Sequence, residues 1–304
     1  MKKISLWVLF LIGSLFLPAL CTMLISGRTG VADRKMGITV KMKNGKKIDG
    51  ESFVVGMAAS ELSYIKEEEA LKAWMIVCRT NFRKAAGHNK EIRQSEMPLD
   101  FVSMKSLEEN NGRKTYLALK KQLEDASDDT FGQILCYKGK CIDALYHQVS
   151  IGKTVSSAEI YSVEVPYLVS VDSSQDVESN EYMNTQVISF KECLEVLDRA
   201  GYKESEENLK KNLKISSHTK NGFVEEVSSG KNRWTGEKWK KLFALHSTNF
   251  YLENYKGKLR IVTIGKGHGM GMSLYGANQL AKKGIRFPTI LSYYYPGTAV
   301  EMLK

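Results

Sequence analysis

A helix that is apolar on almost every side sets the strongest limit on the fold of this chain. Residues 67–85 read EEEALKAWMIVCRTNFRKA, with glutamates in the first turn and basic residues in the last, which complements the helix dipole. Its apolar residues recur at helical spacing and also fill intervening positions: Ala70, Leu71, Trp74, Met75, Ile76, Val77, Cys78 and Phe82. Such a helix must be covered on all sides. We therefore expect a core helix around which the other elements pack.

The chain begins with a second long apolar run. Residues 4–25, ISLWVLFLIGSLFLPALCTMLI, carry no charge and follow Lys2 and Lys3. The run is long enough to span a bilayer, whereas a cleaved signal peptide has a shorter apolar core and a small-x-small cleavage site. A lipoprotein site at Cys21 lacks the small residue expected before it. We expect an uncleaved anchor over residues 1–27, with the rest of the chain extracytoplasmic.

The exported remainder is basic. A polar linker over residues 28–37 precedes a domain over residues 38–304, and the whole chain has a formal net charge of +10. Outside a cell the abundant polyanions are lipid headgroups and wall polymers, so the charge favours a wall-facing partner and excludes nucleic acid. Surplus lysines that keep the protein soluble are the alternative.

Shorter patterns predict a mixture of helices and hairpins. Helices are predicted over residues 51–62, 113–126 and 273–283, after a Ser189–Glu192 capping box, and from Pro288 onward. Alternating apolar residues flank four turn pairs, Asn44-Gly45, Lys138-Gly139, Asn221-Gly222 and Lys256-Gly257. The sequence predicts an α+β fold, a helical core with antiparallel β-hairpins, preceded by one N-terminal transmembrane helix.

Seven strings carry a family resemblance: VVGMAASEL, EEALKAWMIVCRT, DALYHQVSIGKT, PYLVSVDSS, LHSTNF, GKGHGMGMSLYGANQLAKKG and YYYPGT. Their content and order resemble the stage II sporulation protein D family. The resemblance implies a lytic transglycosylase that cleaves peptide-free glycan between N-acetylmuramic acid and N-acetylglucosamine, leaving 1,6-anhydro ends, during forespore engulfment. It implies a location in the mother-cell membrane, facing the forespore, with a peptidoglycan amidase and a membrane scaffold protein as partners. Some relatives are amidase enhancers, so a noncatalytic wall-binding enhancer or scaffold is the alternative.

The resemblance places the catalytic residue at Glu61. The family's Glu-Met-Pro segment aligns with Glu61, Leu62 and Ser63 in ASELS. At the C-terminal end of a predicted helix, the dipole and any burial should raise the pKa of Glu61, as a general acid requires. Ordinary glycosidases use two carboxylates ~5–9 Å apart, and no second one is evident in the sequence. Without the family, an exposed helix-end carboxylate is the simpler interpretation.

The resemblance also implies substrate-binding positions, at His147, Ser150, Lys153, His268, Ser273 and Tyr275. An isolated histidine such as His147 more often has a structural role. The glycines that alternate around His268 could bring backbone amides close to a sugar, or could form a tight packing corner. Tyr275 and the tyrosines at 293–295 could stack on sugar rings or simply pack.

A cysteine pair needs a separate explanation. A two-residue turn at Lys138-Gly139 would place Cys136 opposite Cys141, with Cα atoms ~4.5–5.5 Å apart, a separation that suits a disulfide. The pair could otherwise be a free dithiol, or could bind a structural zinc ion with a third ligand. A straight strand would carry His147 ~20 Å beyond Cys141, too far to share that site. We expect a disulfide or dithiol, with no cofactor required for activity.

Overall fold

The computed structural model describes residues 35–97 and 99–303. The predicted anchor over residues 1–27 and most of the predicted linker lie outside this described part. Within it, no helix combines the length and the apolar character that crossing a membrane requires.

Helices and short strands alternate along the described chain. The helices are α1 (Gly50–Ala58), α2 (Glu68–Ala86), α3 (Met104–Asn111), α4 (Arg113–Asp129), α5 (Ser157–Tyr161), α6 (Phe190–Arg199), α7 (Glu206–Asn212), α8 (Gly236–Leu242), α9 (Leu274–Lys282) and α10 (Phe287–Tyr294). Short 3₁₀ turns span Ala59–Glu61, Gln94–Glu96 and Ser174–Glu178. The strands are β1 (Thr39–Lys41), β2 (Lys47–Asp49), β3 (Glu91–Arg93), β4 (Gln133–Tyr137), β5 (Lys140–Cys141), β6 (Tyr146–His147), β7 (Met183–Ser189), β8 (Lys214–His218), β9 (Val224–Ser229), β10 (Asn232–Thr235), β11 (Phe250–Tyr255), β12 (Lys258–Ile264), β13 (Met272–Ser273) and β14 (Ala299–Met302). The predicted α+β class is confirmed.

Helix α2 is the core helix that its sequence predicts. It packs against α1, α4, α9, α10 and β4, and its apolar residues from Ala70 to Phe82 are buried. The indole Nε1 of Trp74 donates a hydrogen bond to the carbonyl of Ala58, 3.1 Å away, at the end of α1. Helix α1 begins at an Asp49 cap, whose side chain accepts from the backbone N–H of Glu51. The capped and packed helix fixes the direction in which the chain reaches Glu61.

A buried ion pair joins α1 to α2. The guanidinium of Arg79 donates to both carboxylate oxygens of Glu51, at 2.6 and 2.9 Å, and both side chains are fully buried. Arg79 also donates to the carbonyls of Thr130 and Gln133, while the hydroxyl of Ser127 donates to Glu51. Every charged atom in this interior site therefore has a partner, as burial of charge requires.

Within residues 35–97 and 99–303, five small sheets surround the helices. All four predicted hairpins are confirmed: they are β1–β2, β4–β5, β8–β9 and β11–β12, and each is antiparallel. Two pairings are parallel, β1 with β3 and β6 with β13, and β14 adds to β4 from the end of the described chain. The sequence did not predict these three pairings.

The buried apolar residues form two large clusters. The first surrounds α2 and includes residues of α1, α9 and α10. The second lies within residues 188–261, between helices α6–α8 and two three-stranded sheets, with Trp234 and Trp239 packed edge to face at its centre. A small third cluster of Val155, Phe223 and Met270 brings together segments from both regions. The loops that carry the candidate site lie close to this third cluster.

Candidate active site

Glu61 ends a 3₁₀ turn that continues α1, as the sequence predicts. Its side chain is half-buried, and its Oε1 accepts a hydrogen bond of 2.8 Å from the amide Nε2 of Gln148. Burial raises the pKa of Glu61 above its ordinary value, and this effect outweighs the Gln148 hydrogen bond and the charge of Lys266, which lower it. The carboxyl therefore holds its proton to a higher pH than an exposed glutamate does.

Two further carboxylates lie close enough to influence Glu61. The negative charges of Asp100 and Glu181 both raise the pKa of Glu61. Asp100 is exposed, whereas Glu181 is half-buried. These two carboxylates are not evident as neighbours of Glu61 in the sequence. Both residues are far from Glu61 in sequence, so only the fold brings their charges near it.

Lys266, Tyr64 and Glu181 form a hydrogen-bonded cluster beside Glu61. The ammonium of Lys266 donates to the Tyr64 hydroxyl at 2.7 Å and to Glu181 at 2.8 Å, and Tyr64 donates to Glu181. Burial and the bond to Glu181 raise the pKa of Tyr64 to about 12, so the phenol stays protonated. The hydrogen bonds that Glu181 accepts lower its pKa despite its burial. The cluster thus holds an ammonium and a carboxylate near the candidate acid, and these two charges shift its pKa in opposite directions.

The glycine loop between β12 and α9 packs directly against the segment that follows β6. The backbones of Val149 and Lys266 pair as an antiparallel bridge, and β13 pairs with β6. A Cβ on Gly267 would lie 2.6 Å from the Cβ of His147, and one on Gly271 would lie 1.9 Å from the carbonyl oxygen of Leu145. Both glycines also have positive φ angles. These two glycines form a tight packing corner, which fixes Lys266 and His268.

His147 and His268 both form hydrogen bonds with the peptide groups of Met270, and burial favours the neutral form of both rings. Nδ1 of His147 donates to the Met270 carbonyl at 3.0 Å, and Nδ1 of His268 accepts from the Met270 N–H at 3.1 Å. Burial lowers the pKa of His147 to about 4; burial and then the neighbouring His147 lower the pKa of His268 to about 3. His147 is buried, so of the two predicted substrate-binding histidines, only His268 lines the groove described below.

Ser150 and Ser273 do not reach the groove surface. Both are buried, and Asp176 accepts hydrogen bonds of 2.6 Å from the Ser150 backbone N–H and from the Ser273 hydroxyl. Asp176 is itself buried, and burial raises its pKa. The serines predicted to bind substrate instead join the two site segments to a buried carboxyl.

Lys153 and Tyr275 lie in different surroundings. Lys153 is exposed and lines a separate cleft rather than the groove. Tyr275 is half-buried, and its backbone N–H donates to the carbonyl of Gln148 at 3.1 Å. Among the other tyrosines considered for stacking, Tyr294 and Tyr295 are fully buried and pack in the core, which leaves Tyr293 partly exposed.

A groove of about 490 Å³ begins beside Gln148. Its walls include Asn81 and Lys84 of α2, Leu99, Tyr146, Gln148 and His268. The ring of Tyr146 packs on Trp74, with centroids 4.4 Å apart, so the core helix supports the groove floor. The groove offers amide, ammonium and aromatic groups to a polar ligand, and Gln148 in its wall donates a hydrogen bond to Glu61, whose pKa burial raises. This arrangement suits general acid chemistry on a bound sugar chain.

The cysteine pair has the predicted register. Cys136 lies opposite Cys141 in the β4–β5 hairpin, and both are free thiols, with Cys141 donating to the Thr80 carbonyl. Burial raises the pKa of both thiols, that of Cys141 to about 11. Across residues 35–97 and 99–303, no group of three or more His, Cys, Asp or Glu side chains is gathered for a metal ion. The structure has the dithiol form, and zinc binding by the pair stays a prediction.

Comparison with known proteins identifies the family. A family model described as "Stage II sporulation protein" matches residues 39–137. Stage II sporulation protein D of Bacillus subtilis is 30% identical over 259 residues, which cover 83% of this chain and 74% of the relative. The chain belongs to the stage II sporulation protein D family. The protein of the same name from Bacillus amyloliquefaciens is 29% identical over 266 residues, 83% of this chain and 74% of that protein.

A more distant relative has a different name. The amidase enhancer of Bacillus subtilis is 25% identical over 224 residues, which cover 58% of this chain and 32% of the enhancer. The resemblance to the stage II sporulation protein D family, drawn from the seven strings, is confirmed.

Five residues of this family member's site were missed by sequence reasoning, among them Asp100, whose charge raises the pKa of Glu61. Gln148, Lys266 and Glu181 touch Glu61 or act on its pKa, and Asp176 holds two site segments together. Lys266 stands between two glycines, a position that could have drawn attention to it. Gln148 directly follows His147 in the YHQVS string, but nothing local indicates that its amide reaches a residue 87 positions away.

Proposed function

We propose that this protein is a peptidoglycan lytic transglycosylase that cleaves peptide-free glycan strands, with Glu61 as both acid and base. One observation carries the proposal: a half-buried carboxyl of raised pKa that accepts a hydrogen bond from Gln148, whose side chain belongs to the wall of a groove. Membership in a family of sporulation proteins supports a setting in sporulation. The products would be N-acetylglucosamine ends and 1,6-anhydro-N-acetylmuramic ends.

The first half of the reaction uses Glu61 as an acid. Its proton passes to the glycosidic oxygen of N-acetylglucosamine while the bond from that oxygen to C1 of muramic acid breaks. Burial favours the protonated form of Glu61 that this step needs, and the charges of Asp100 and Glu181 act in the same direction. As the carboxylate forms, the amide of Gln148 and the ammonium of Lys266 stabilise its charge.

The second half uses the same carboxylate as a base. It takes the proton from the C6 hydroxyl of the same muramic acid, and that oxygen bonds to C1 to close the 1,6-anhydro ring. Glu61 ends the cycle protonated, and no water is consumed. The neutral rings of His147 and His268 add no competing charge, since both pKa values lie near or below 4.

Membership in the family supports the cellular setting that we propose. We place the protein at the mother-cell membrane, single-pass through residues 4–25, with its domain in the space between mother cell and forespore. The sporulation amidase and the membrane scaffold protein are proposed partners, because an amidase must first remove the stem peptides. The basic surface suits contact with anionic wall material.

A noncatalytic role is the second candidate. The similarity to an amidase enhancer supports a wall-binding protein that recruits or accelerates an amidase without cutting glycan. Under that alternative the groove would bind glycan, and Glu61 would be dispensable for its effect.

Digestion of peptide-free glycan tests the proposal. The full chain in detergent and its Glu61→Gln variant are incubated with the glycan, and 1,6-anhydromuramic ends are counted by mass spectrometry. We expect a loss of at least about 100-fold in the variant, the usual scale of a general acid. Glu164→Gln is the matched control, because Glu164 is exposed and does not line the groove.

Equal activity in wild type and Glu61→Gln would refute the mechanism. If neither protein releases anhydro ends but both accelerate an added amidase, the enhancer function is correct instead.

A further inference from the structure

The segment 148–153 lines two cavities. Gln148 at its start lines the groove beside Glu61, whereas Ile151 and Lys153 at its end line a second cleft of about 620 Å³. The other walls of this second cleft come from β8, the turn before β9, and the first residues of β11. From Gln148 to Ile151 the chain spans at most ~10 Å. One extended ligand could therefore contact both cavities.

The second cleft is lined by positive charge. Lys153, His218 and Lys220 are all exposed, and none of the three forms an ion pair within the described residues. No Asp or Glu lines this cleft. The neighbouring Glu159 is occupied, because its carboxylate accepts hydrogen bonds from Thr219 and Asn221. An anionic ligand would supply the negative charge with which neither lysine is paired.

The same cleft has an apolar floor and an exposed aromatic ring. Phe250 and Val224 are buried beneath it, and Ile215 is half-buried. Tyr251 at its edge is 56% exposed. A flat aromatic surface next to cations and a turn amide suits a sugar ring that carries a carboxylate. A simple inorganic anion would make no use of the apolar floor or the tyrosine.

We infer that this cleft binds the free lactyl carboxylate of a muramic acid some sugars away from the bond that Glu61 cleaves. The inference rests on the proposed function and adds how peptide-free glycan is distinguished. In intact peptidoglycan the lactyl carboxyl is an amide joined to the stem peptide, so it has no charge and carries added bulk. Removing the peptide restores an anion that Lys153 and Lys220 attract.

Binding measurements test the inference separately from cleavage. The full-chain Glu61→Gln protein in detergent is titrated with fluorescent peptide-free glycan oligomers, and with the same oligomers after conversion of their carboxylates to methylamides. We expect the first probe to bind about tenfold more tightly, or ~1.4 kcal/mol. Adding Lys153→Ala and Lys220→Ala should abolish that difference. The control pair Lys231→Ala and Lys241→Ala removes the same charge from exposed sites outside the cleft and should preserve the difference.

Four results would overturn the inference: equal binding of the two probes by the Glu61→Gln protein, no binding of either, no effect of the Lys153 and Lys220 changes, or an equal effect of the control pair. The inference would also be overturned if the Lys153→Ala and Lys220→Ala changes removed binding of poly(glycerol phosphate) but did not weaken binding of the glycan oligomers. The ligand of the cleft would then be a phosphate polymer. If the wild-type protein binds glycan in a charge-dependent way but releases no anhydro ends, the enzymatic proposal is refuted. The assignment of this cleft as a carboxylate-binding site is then supported.

Discussion

Breaking the ion pair between Arg79 and Glu51 should destabilise the protein, and the contacts of the two side chains indicate by how much. Arg79→Met keeps a side chain of similar length but removes both hydrogen bonds to Glu51 and those to the carbonyls of Thr130 and Gln133. Glu51 would then be a buried carboxylate with only the Ser127 hydroxyl as a donor. Removing one partner of a buried pair costs about 3–5 kcal/mol.

That loss is large relative to the total unfolding free energy of a globular protein. Globular proteins have unfolding free energies of about 5–15 kcal/mol, so the variant should lose about a fifth or more of its stability. The double variant Glu51→Leu/Arg79→Met no longer buries an unpaired charge. We therefore expect it to be no less stable than Arg79→Met alone, whereas independent effects would add to a loss of about 6–10 kcal/mol.

Urea denaturation followed by circular dichroism measures these differences, with the full chain in detergent. Lys121→Met is a matched control, because Lys121 pairs with Asp125 on the exposed face of α4 and its loss should not be resolved. A loss below about 1 kcal/mol for Arg79→Met would refute the reasoning, because it would mean that Glu51 finds water or another partner. Strict additivity in the double variant would show that the two charges are not coupled.

Two further predictions concern the site and its support. Removing the negative charge of Asp100 lowers the pKa of Glu61, so Asp100→Asn should move the alkaline limit of glycan cleavage to lower pH. Removing the Gln148 donor raises the pKa of Glu61, so Gln148→Leu should move that limit to higher pH. If the pH–rate profiles of both variants shift in the same direction, this reasoning is contradicted. Gly276→Ala would place a Cβ 2.3 Å from the Tyr294 hydroxyl and should destabilise the protein by about 1–3 kcal/mol in thermal unfolding; an unchanged midpoint would show that this corner is not tightly packed.

Elements with strong local patterns could be predicted from the sequence. Helix α2 could be predicted because its apolar residues leave no face for solvent, and the Ser189–Glu192 capping box is present as predicted. The opposition of Cys136 and Cys141 follows from the two-residue turn between them. In each case the information lies within a few residues of the element that forms.

Features set by distant contacts could not be predicted. Strands β6 and β13 are two residues long and form only because the glycine corner brings them together. Helix α3 buries only Leu107, so its sequence has little apolar periodicity. Glu61 could be identified through family strings, but its proximity to Gln148, Lys266 and Glu181 depends on the packed fold.

The Gln148 hydrogen bond also decides which oxygen of Glu61 handles the proton. Because the amide N–H already occupies Oε1, the acidic form carries its proton on Oε2. In the proposed reaction the glycosidic oxygen departs from one face of the muramic acid ring, and the C6 oxygen bonds to C1 from that same face. One carboxylate oxygen can therefore give the proton and recover it without the side chain turning. In a retaining enzyme that uses water, the water also bonds to C1 from the face that the leaving group left, and here the C6 hydroxyl of the substrate takes the place of that water.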